Sequence, residues 1–372
     1  MELINISTCL IKNSYMINNK PTICYFGAYN SELARNEVYL RGLRQNNVEV
    51  IECSDSSSGI AKYFKLFAKH WKIRKKYDVM IVGYAGHFLV PFAKLISSKP
   101  IVFNAMTSLY EASIVSRGKH ASYSPFAWRI WLIDWLAFRL SDLVLVETSK
   151  QKDYLVKKFK IKEKKFARLY TGANDAIFYP EARPERIGKF TVLFRGRLLP
   201  EAGVRHILKT AKILKDEDIK FLILGFGLLE EEIQKQIKDL GLGNVELISR
   251  RLTIDELREK MLSADIGIGQ IESHERLKRT VPYKAFEYLA IKLPYINGNG
   301  DGIKELLRDR ENCLLVNLAD PEDLAEKIIE LKNNPELGKK IADNGYKLYQ
   351  EKLTPAVLGN ELLSLCLQLI KK

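Results

Sequence analysis

The residues best suited to chemistry lie in one stretch, Val281–Pro294, V-P-Y-K-A-F-E-Y-L-A-I-K-L-P. It holds a single carboxylate, Glu287, with Lys284 one helical turn earlier. Pro282 suits the first turn of a helix, where a missing N–H costs little. Ala285, Phe286, Leu289 and Ala290 then form the buried stripe. The free N–H groups of a helix start attract phosphate. Arg276, Lys278 and Arg279 add a basic flank. One inward carboxylate beside a cationic helix entrance suits a diphosphate joined to a sugar.

Two other places offer matching chemistry. The run Thr191–Phe194 leads into Arg195-Gly196-Arg197-Leu-Leu-Pro200-Glu-Ala-Gly203. Arg195 and Arg197 project to the same side if the strand continues, and arginines at a strand end clamp a diphosphate with fixed donors. The plainer reading is a solvated loop. Gly225 and Gly227, in L-G-F-G after the next strand, allow a close backbone approach to a ligand, although an ordinary tight turn needs the same residues. On the N-terminal side His87, in Gly86-His87-Phe88, follows the strand Val79–Gly83, although a lone histidine is more often structural. Gly27 and Asn104–Ser108 also end strands.

Positioning these residues requires alternating strands and helices. Thr22–Phe26, Val48–Ile51, Val79–Gly83, Ile101–Asn104 and Leu143–Glu147 read as strands, with a helix near Glu32–Asn46. Asn174–Gly188, with Pro180 and Pro184, reads as a linker. The alternation restarts with Thr191–Phe194, Lys220–Leu224, Val245–Ile248, Asp265–Gly269, Tyr295–Ile296 and Leu314–Val316. This is the pattern of βαβ units, hence an α/β fold of two doubly wound, Rossmann-like domains facing across a cleft. The expected divisions are 1–178 (with 1–20 a loose extension), 179–354, and a C-terminal helix, 355–372, packing back on the first domain. Ligands of such sheets bind at the carboxyl ends of the strands.

The 372 residues suit two domains, and 47% are hydrophobic. Five cysteines show no C-x-x-C spacing and point to structural thiols in a reducing compartment. With five scattered histidines and no D-x-D pair near the strand ends, no metal site is expected. The net charge is +14. Residues 1–175 hold 27 Lys/Arg and 14 Asp/Glu, a balance of +13, and the remaining 32 against 31 leave +1. The first half therefore faces something anionic. No RNA- or DNA-binding motif accompanies that charge, and no nucleic-acid partner is expected. No uncharged apolar run reaches the length of a membrane span, and Phe126–Leu140 reads as a buried or interfacial helix. In residues 60–76, Ile60, Tyr63, Phe64, Phe67, Ala68 and Trp71 share one helical face, with Lys62, Lys65, Lys69, Lys72, Arg74 and Lys76 largely elsewhere. That pattern predicts an interfacial helix on an anionic membrane; the plainer alternative packs the aromatic side on the sheet.

Four motifs in order sharpen the reading: G-R-L-L-P-E-A-G-V (196–204), L-I-L-G-F-G (222–227), P-Y-K-A-F-E-Y-L-A-I-K-L-P (282–294) and G-D-G-I-K-E-L-L (300–307), the last leading into E-N-C-L-L-V-N-L-A-D-P-E-D-L-A (311–325). Together they resemble the C-terminal half of the group-1 (family 4) retaining glycosyltransferases of GT-B fold, strongly over about residues 190–330. The resemblance implies that Glu287 binds the ribose hydroxyls of a nucleotide and that Arg197 neutralises the departing diphosphate. It also implies a donor-facing histidine, for which His87 is the nearest candidate, and an acceptor side at Gly27 and Asn104–Ser108. It implies metal-independent transfer, with retention, from a UDP- or GDP-linked sugar to a lipid-linked or glycan acceptor, with no cofactor. The enzyme would sit in the cytoplasm, on the inner face of the plasma membrane. Two positions depart from the family. Ala202 stands where a lysine is usual, so that Arg195, or Arg279 and Lys278, would supply the charge. Arg279 stands where a donor-sugar carboxylate is usual, and Glu272 or Glu275 replaces it only if the loop folds back. These departures keep open a decayed nucleotide-sugar-binding protein, and the shared fold a nucleotide-sugar 2-epimerase.

Overall fold

A computed structural model describes residues 20–29, 34–116, 121–181 and 188–371. The extension up to residue 19, Asn30, the expected helix start at Glu32, and Pro184 of the linker lie outside the described residues.

The first domain is a six-stranded, wholly parallel sheet in the order β2-β1-β3-β4-β5-β6. Its elements are β1 (Ile23–Gly27), α1 (Ala34–Gln45), β2 (Val50–Ser54), α2 (Ala61–Ile73), β3 (Val79–Val82), α3 (Val90–Ile96), β4 (Ile101–Met106), α4 (Pro125–Leu140), β5 (Leu143–Val146), α5 (Ser149–Phe159) and β6 (Phe166–Arg168). β6 was not expected: three residues on a sheet edge carry too short a pattern to read. Alternate residues of each strand feed two cores. Cys24, Phe26, Met80, Val82, Phe103, Val144 and Val146 meet Leu66, Val90, Ala93, Phe138, Leu155 and Phe159 of α2 to α5. Ile23, Tyr25, Val79, Ile81, Val102 and Leu145 share the opposite core with Val38, Tyr39 and Leu43 of α1.

The second domain repeats the design in the order β12-β11-β10-β7-β8-β9. It comprises β7 (Phe190–Arg195), α6 (Val204–Ile213), β8 (Ile219–Leu224), α7 (Glu230–Asp239), β9 (Val245–Ile248), α8 (Ile254–Leu262), β10 (Ile266–Ile268), α9 (Tyr283–Ala290), β11 (Tyr295–Gly298), β12 (Leu314–Val316), α10 (Pro321–Asn333) and α11 (Pro335–Lys352). The strand order reverses between β7 and β10, and in the first domain between β1 and β3. Such switch points open a crevice at the carboxyl ends of the strands.

The last helix, α12 (Pro355–Ile370), returns to the first domain and lies on α1. The crossing depends on two glycines. A Cβ on Gly42 would fall 2.0 Å from the Pro355 carbonyl oxygen, and one on Gly359 2.1 Å from the Gly42 carbonyl carbon. Residues 335–370 are, by length and composition, long and apolar enough to be weighed as a membrane span. They are nevertheless two helices, broken at Leu353, with Thr354 capping the second. α12 buries Leu358, Leu362 and Cys366 inside the protein.

Candidate active site

The switch point of the second domain collects the charged residues. β7 ends at Arg195, and α9 begins at Tyr283 after the loop that follows β10. Pro282 precedes the helix in extended conformation, and no side chain caps its first turn. Glu287 faces inward and is completely buried. Arg195 Nη1 donates to its Oε2. The other carboxylate oxygen, Oε1, is buried with no hydrogen-bond partner among the described residues. Burial raises the Glu287 carboxyl above the usual carboxylate range, against the pull of the Arg195 guanidinium. Tyr288 braces the pair, its hydroxyl accepting from the Arg195 N–H at 3.0 Å.

Lys284 is also buried, and its Nζ lies 3.5 Å from the centroid of the Phe194 ring. It makes no ion pair among the described residues. Burial, and then repulsion from Arg195, hold its ammonium well below the usual lysine range. A buried, reluctantly charged lysine beside a buried carboxylate with a spare acceptor makes a site ready for an anion and a hydroxyl donor.

Arg197 lies on the rim, exposed, with its guanidinium 5.1 Å from the ring centroid of Phe226. Gly225 and Gly227 explain that placement. A Cβ on Gly225 would fall 1.9 Å from the Gly196 oxygen, and one on Gly227 2.6 Å from the Leu198 oxygen. Leu198 N donates to Phe226 O at 3.0 Å, and Leu229 N to Leu198 O at 3.1 Å. These glycines therefore let two loops knit together; what they accommodate is neighbouring backbone, not open ligand space.

Across the cleft, the strand ends of the first domain carry a buried polar network. Arg35 Nε donates to Asn104 Oδ1 at 2.6 Å, and Arg35 Nη1 to Thr171 Oγ1 at 2.9 Å. Thr171 Oγ1 donates to Glu147 Oε1 at 2.5 Å. Burial raises the Glu147 carboxyl, offset by Arg35.

Residues 177–348 match the family model of glycosyl transferases group 1. The C-terminal domain belongs to the group 1 glycosyl transferases. An uncharacterized glycosyltransferase of Methanocaldococcus jannaschii is 31% identical over 178 residues, 48% of this chain and 46% of that protein. A Campylobacter jejuni transferase, GalNAc-alpha-(1->4)-GalNAc-alpha-(1->3)-diNAcBac-PP-undecaprenol alpha-1,4-N-acetyl-D-galactosaminyltransferase, is 29% identical over 161 residues, 41% of each chain. The chain thus spans less than half the length of these two relatives. The crystal structure of Anabaena HepE in complex with UDP superposes with a TM-score of 0.71 at 15% identity, covering 94% of this chain and all of that one. At that identity the likeness shows the fold, the two-domain GT-B arrangement.

Within this glycosyl transferase domain the structure relocates several expected residues. Arg279 does not face the nucleotide crevice as a spare cation. Its guanidinium pairs with the buried Glu111 of the first domain and lies 3.9 Å from the Tyr154 ring centroid, while its carbonyl accepts from Thr148 Oγ1. Glu111 also accepts from Gln151 Nε2 at 2.8 Å and Thr107 Oγ1 at 3.2 Å. Nearby, Arg276 Nε donates to Ser116 Oγ at 2.9 Å, and the Ser149 and Lys150 N–H groups donate to Glu305 at 2.7 and 2.8 Å. The loop before α9 is thus a strap between domains. Lys278 pairs outward with Glu275 at 2.7 Å. Glu272 Oε2 lies 3.1 Å from His206 Nε2.

The acceptor-side residues are also engaged internally. His87 is fully buried, its Nε2 2.9 Å from the Thr107 carbonyl oxygen and 3.7 Å from Asp134 Oδ1, with its ring edge-on to Phe103. Burial lowers its basicity, against the pull of Asp134. Ser108 donates to Asp134 Oδ2 at 2.7 Å, and Asn104 belongs to the Arg35 network. His87 Nε2, Asn104 and Ser108 thus make internal contacts at the strand ends, while His87 Nδ1 is buried with no hydrogen-bond partner among the described residues. Gly27 closes β1 with φ +146°, beside the Tyr29 ring. The sequence reading missed Arg35, Glu147 and Glu111. One signal was present: Glu111 is the only acidic residue between Val79 and Ile133, and a lone acid in a basic stretch needs a partner.

Proposed function

We propose that this protein transfers a glycosyl group from a nucleotide-sugar donor, UDP- or GDP-linked, to a lipid-linked or glycan acceptor, with retention and without a metal. The observation that carries the reading is the buried Arg195–Glu287 pair at the switch point, with Glu287 Oε1 lacking a partner and Lys284 beside it. A vicinal diol is the donor that Oε1 lacks. Lys284 and the rim residue Arg197 supply positive charge where a diphosphate would depart, which lowers the barrier by stabilising the leaving group. In this reading these two cations carry the leaving-group charge. The Campylobacter jejuni relative is named for an undecaprenol-linked acceptor and HepE was solved with UDP; both fit the proposed substrates.

The test is a panel of UDP- and GDP-sugars with purified protein and added chelator, following nucleotide release and the anomeric configuration of the product by NMR. Release of nucleoside diphosphate from one donor, with chelator present and the donor's configuration kept, is the expected result. Dependence on a divalent cation, or inverted product, overturns the corresponding part of the mechanism.

A further inference from the structure

Of the aromatic stripe of α2 only Tyr63 packs against the core beneath the helix. The helix buries Leu66 and His70 and turns Ile60, Phe64, Phe67 and Trp71 to solvent. Phe64 is 72% exposed and Trp71 55%. The neighbours on the same face of the sheet continue the surface. α3 packs beside α2, with Tyr63 and Phe92 edge-to-face at 5.2 Å, and α4 packs beside α3. α3 exposes Leu95 (86%), and α4 exposes Phe126 and Trp128 (67%). Exposed large apolar groups on three adjacent helices are far more than a soluble surface needs, and they mark a docking face.

Charge identifies the occupant. Residues 59–76 contain seven Lys or Arg and no Asp or Glu. From Val79 to Ile133 the one acid is Glu111, buried under Arg279, and Asp134 is buried beneath His87. Lys69 and Lys94 are exceptions among the cations, lying 3.0 Å from Asp55 and 3.3 Å from Asp142. Arg74 lies flat over Trp71, 3.7 Å from its ring centroid, covering an apolar group with a cation. Among the described residues the face therefore presents aromatic rings among cations, of which Lys62, Lys65 and Lys72 form no ion pair with a carboxylate. A second copy of the chain would bring the same positive charge against it.

We infer that the outer face of α2, α3 and α4 docks on an anionic lipid bilayer, with Phe64, Phe67, Trp71, Leu95 and Trp128 entering the headgroup region and Lys62, Lys65 and Lys72 meeting lipid phosphates. Aromatic and aliphatic groups supply burial and lysines supply attraction, as in interfacial helices. The inner face of the plasma membrane is such a surface. The inference rests on the exposed face alone and not on the nucleotide site.

The experiment is flotation of the full chain with vesicles of phosphatidylcholine, and of phosphatidylcholine with phosphatidylglycerol, beside UDP and GDP binding by the same preparations. The wild type should float with the anionic vesicles, and added salt should weaken binding. The variant K62E/K65E/K72E should lose about a hundredfold in partitioning, at about fivefold per lysine. F64S/W71S should lose binding at low and high salt alike, whereas L228S, at an exposed leucine of the second domain, should bind as wild type. Circular dichroism and UDP affinity should be unchanged in all three. The inference is overturned if the wild type ignores anionic vesicles, if either α2 variant still binds like wild type, or if F64S/W71S instead abolishes self-association or binding of a protein partner. Failure of the wild type to bind either UDP or GDP would sink the nucleotide reading and leave this one standing.

Discussion

Replacing Glu287 by glutamine tests the nucleotide site most directly. Oε2 is committed to Arg195, so only Oε1 remains to accept from a ribose hydroxyl. A hydrogen bond to a charged acceptor contributes about 1.5–3 kcal/mol. Losing it altogether, as when the hydroxyls are removed from the nucleotide, should raise the dissociation constant about 10- to 150-fold. Isothermal titration with UDP and with 2′,3′-dideoxy-UDP separates this from general damage. The wild type should prefer UDP by about that factor, and E287Q, whose amide makes only a neutral hydrogen bond, should lose about 1 kcal/mol of that preference. The substitution also leaves the Arg195 guanidinium without its counter-charge. Breaking a buried pair costs about 3–5 kcal/mol, and the partial exposure of Arg195 lowers that to about 1–3 kcal/mol by solvent screening. The double variant R195M/E287M should recover thermal stability lost in E287Q. Equal weakening for both nucleotides, or none for either, would refute the assignment of Oε1 to the ribose.

Other expectations follow from the same geometry. Burial lowers the Lys284 pKa far below its unfolded value, so between the two values the unfolded chain binds the extra proton and stability rises with pH across that window. A bound diphosphate reverses the shift, so UDP binding should take up a proton in that window, read by calorimetry in buffers of different ionisation enthalpy, and K284M should abolish the uptake. Arg197→Ala should lower kcat about 10²- to 10³-fold with a much smaller change in donor affinity; equal losses would argue against leaving-group stabilisation. Arg279→Ala strands the buried Glu111, and small-angle scattering should report a more open chain; an unchanged radius of gyration would show that the strap does not hold the domains. Gly225→Ala must displace the backbone at Gly196 and should lower the melting temperature, whereas Gly243→Ala meets nothing within 4 Å and should be tolerated.

Much of the architecture was legible because it depends on short-range periodicity. Alternating β-branched runs and helical stripes predicted eleven of the twelve strands, and only β6 escaped. The site was legible in part for the same reason: Arg195 ends a strand, and Glu287 falls on the inward face of a helix that must start at Pro282. The loop residues were not. Arg279 looked like a cation for the nucleotide because its partner, Glu111, lies 168 residues away in the other domain.

The sequence alone determined the two parallel sheets, their division near residue 180 and the helix that carries Glu287, since strand and helix periods are set by neighbours in the chain. It also determined the charge bias of the first half. Only the tertiary structure decided which side of each helix met a sheet and which charges met each other. It turned Phe64, Phe67 and Trp71 of α2 outward, placed His87, Asn104 and Ser108 in internal hydrogen bonds, made Gly225 and Gly227 a seam between loops, and left one oxygen of Glu287 without a hydrogen-bond partner among the described residues. Those outcomes depend on contacts between residues far apart in the chain, where burial and pairing, rather than local pattern, set the balance.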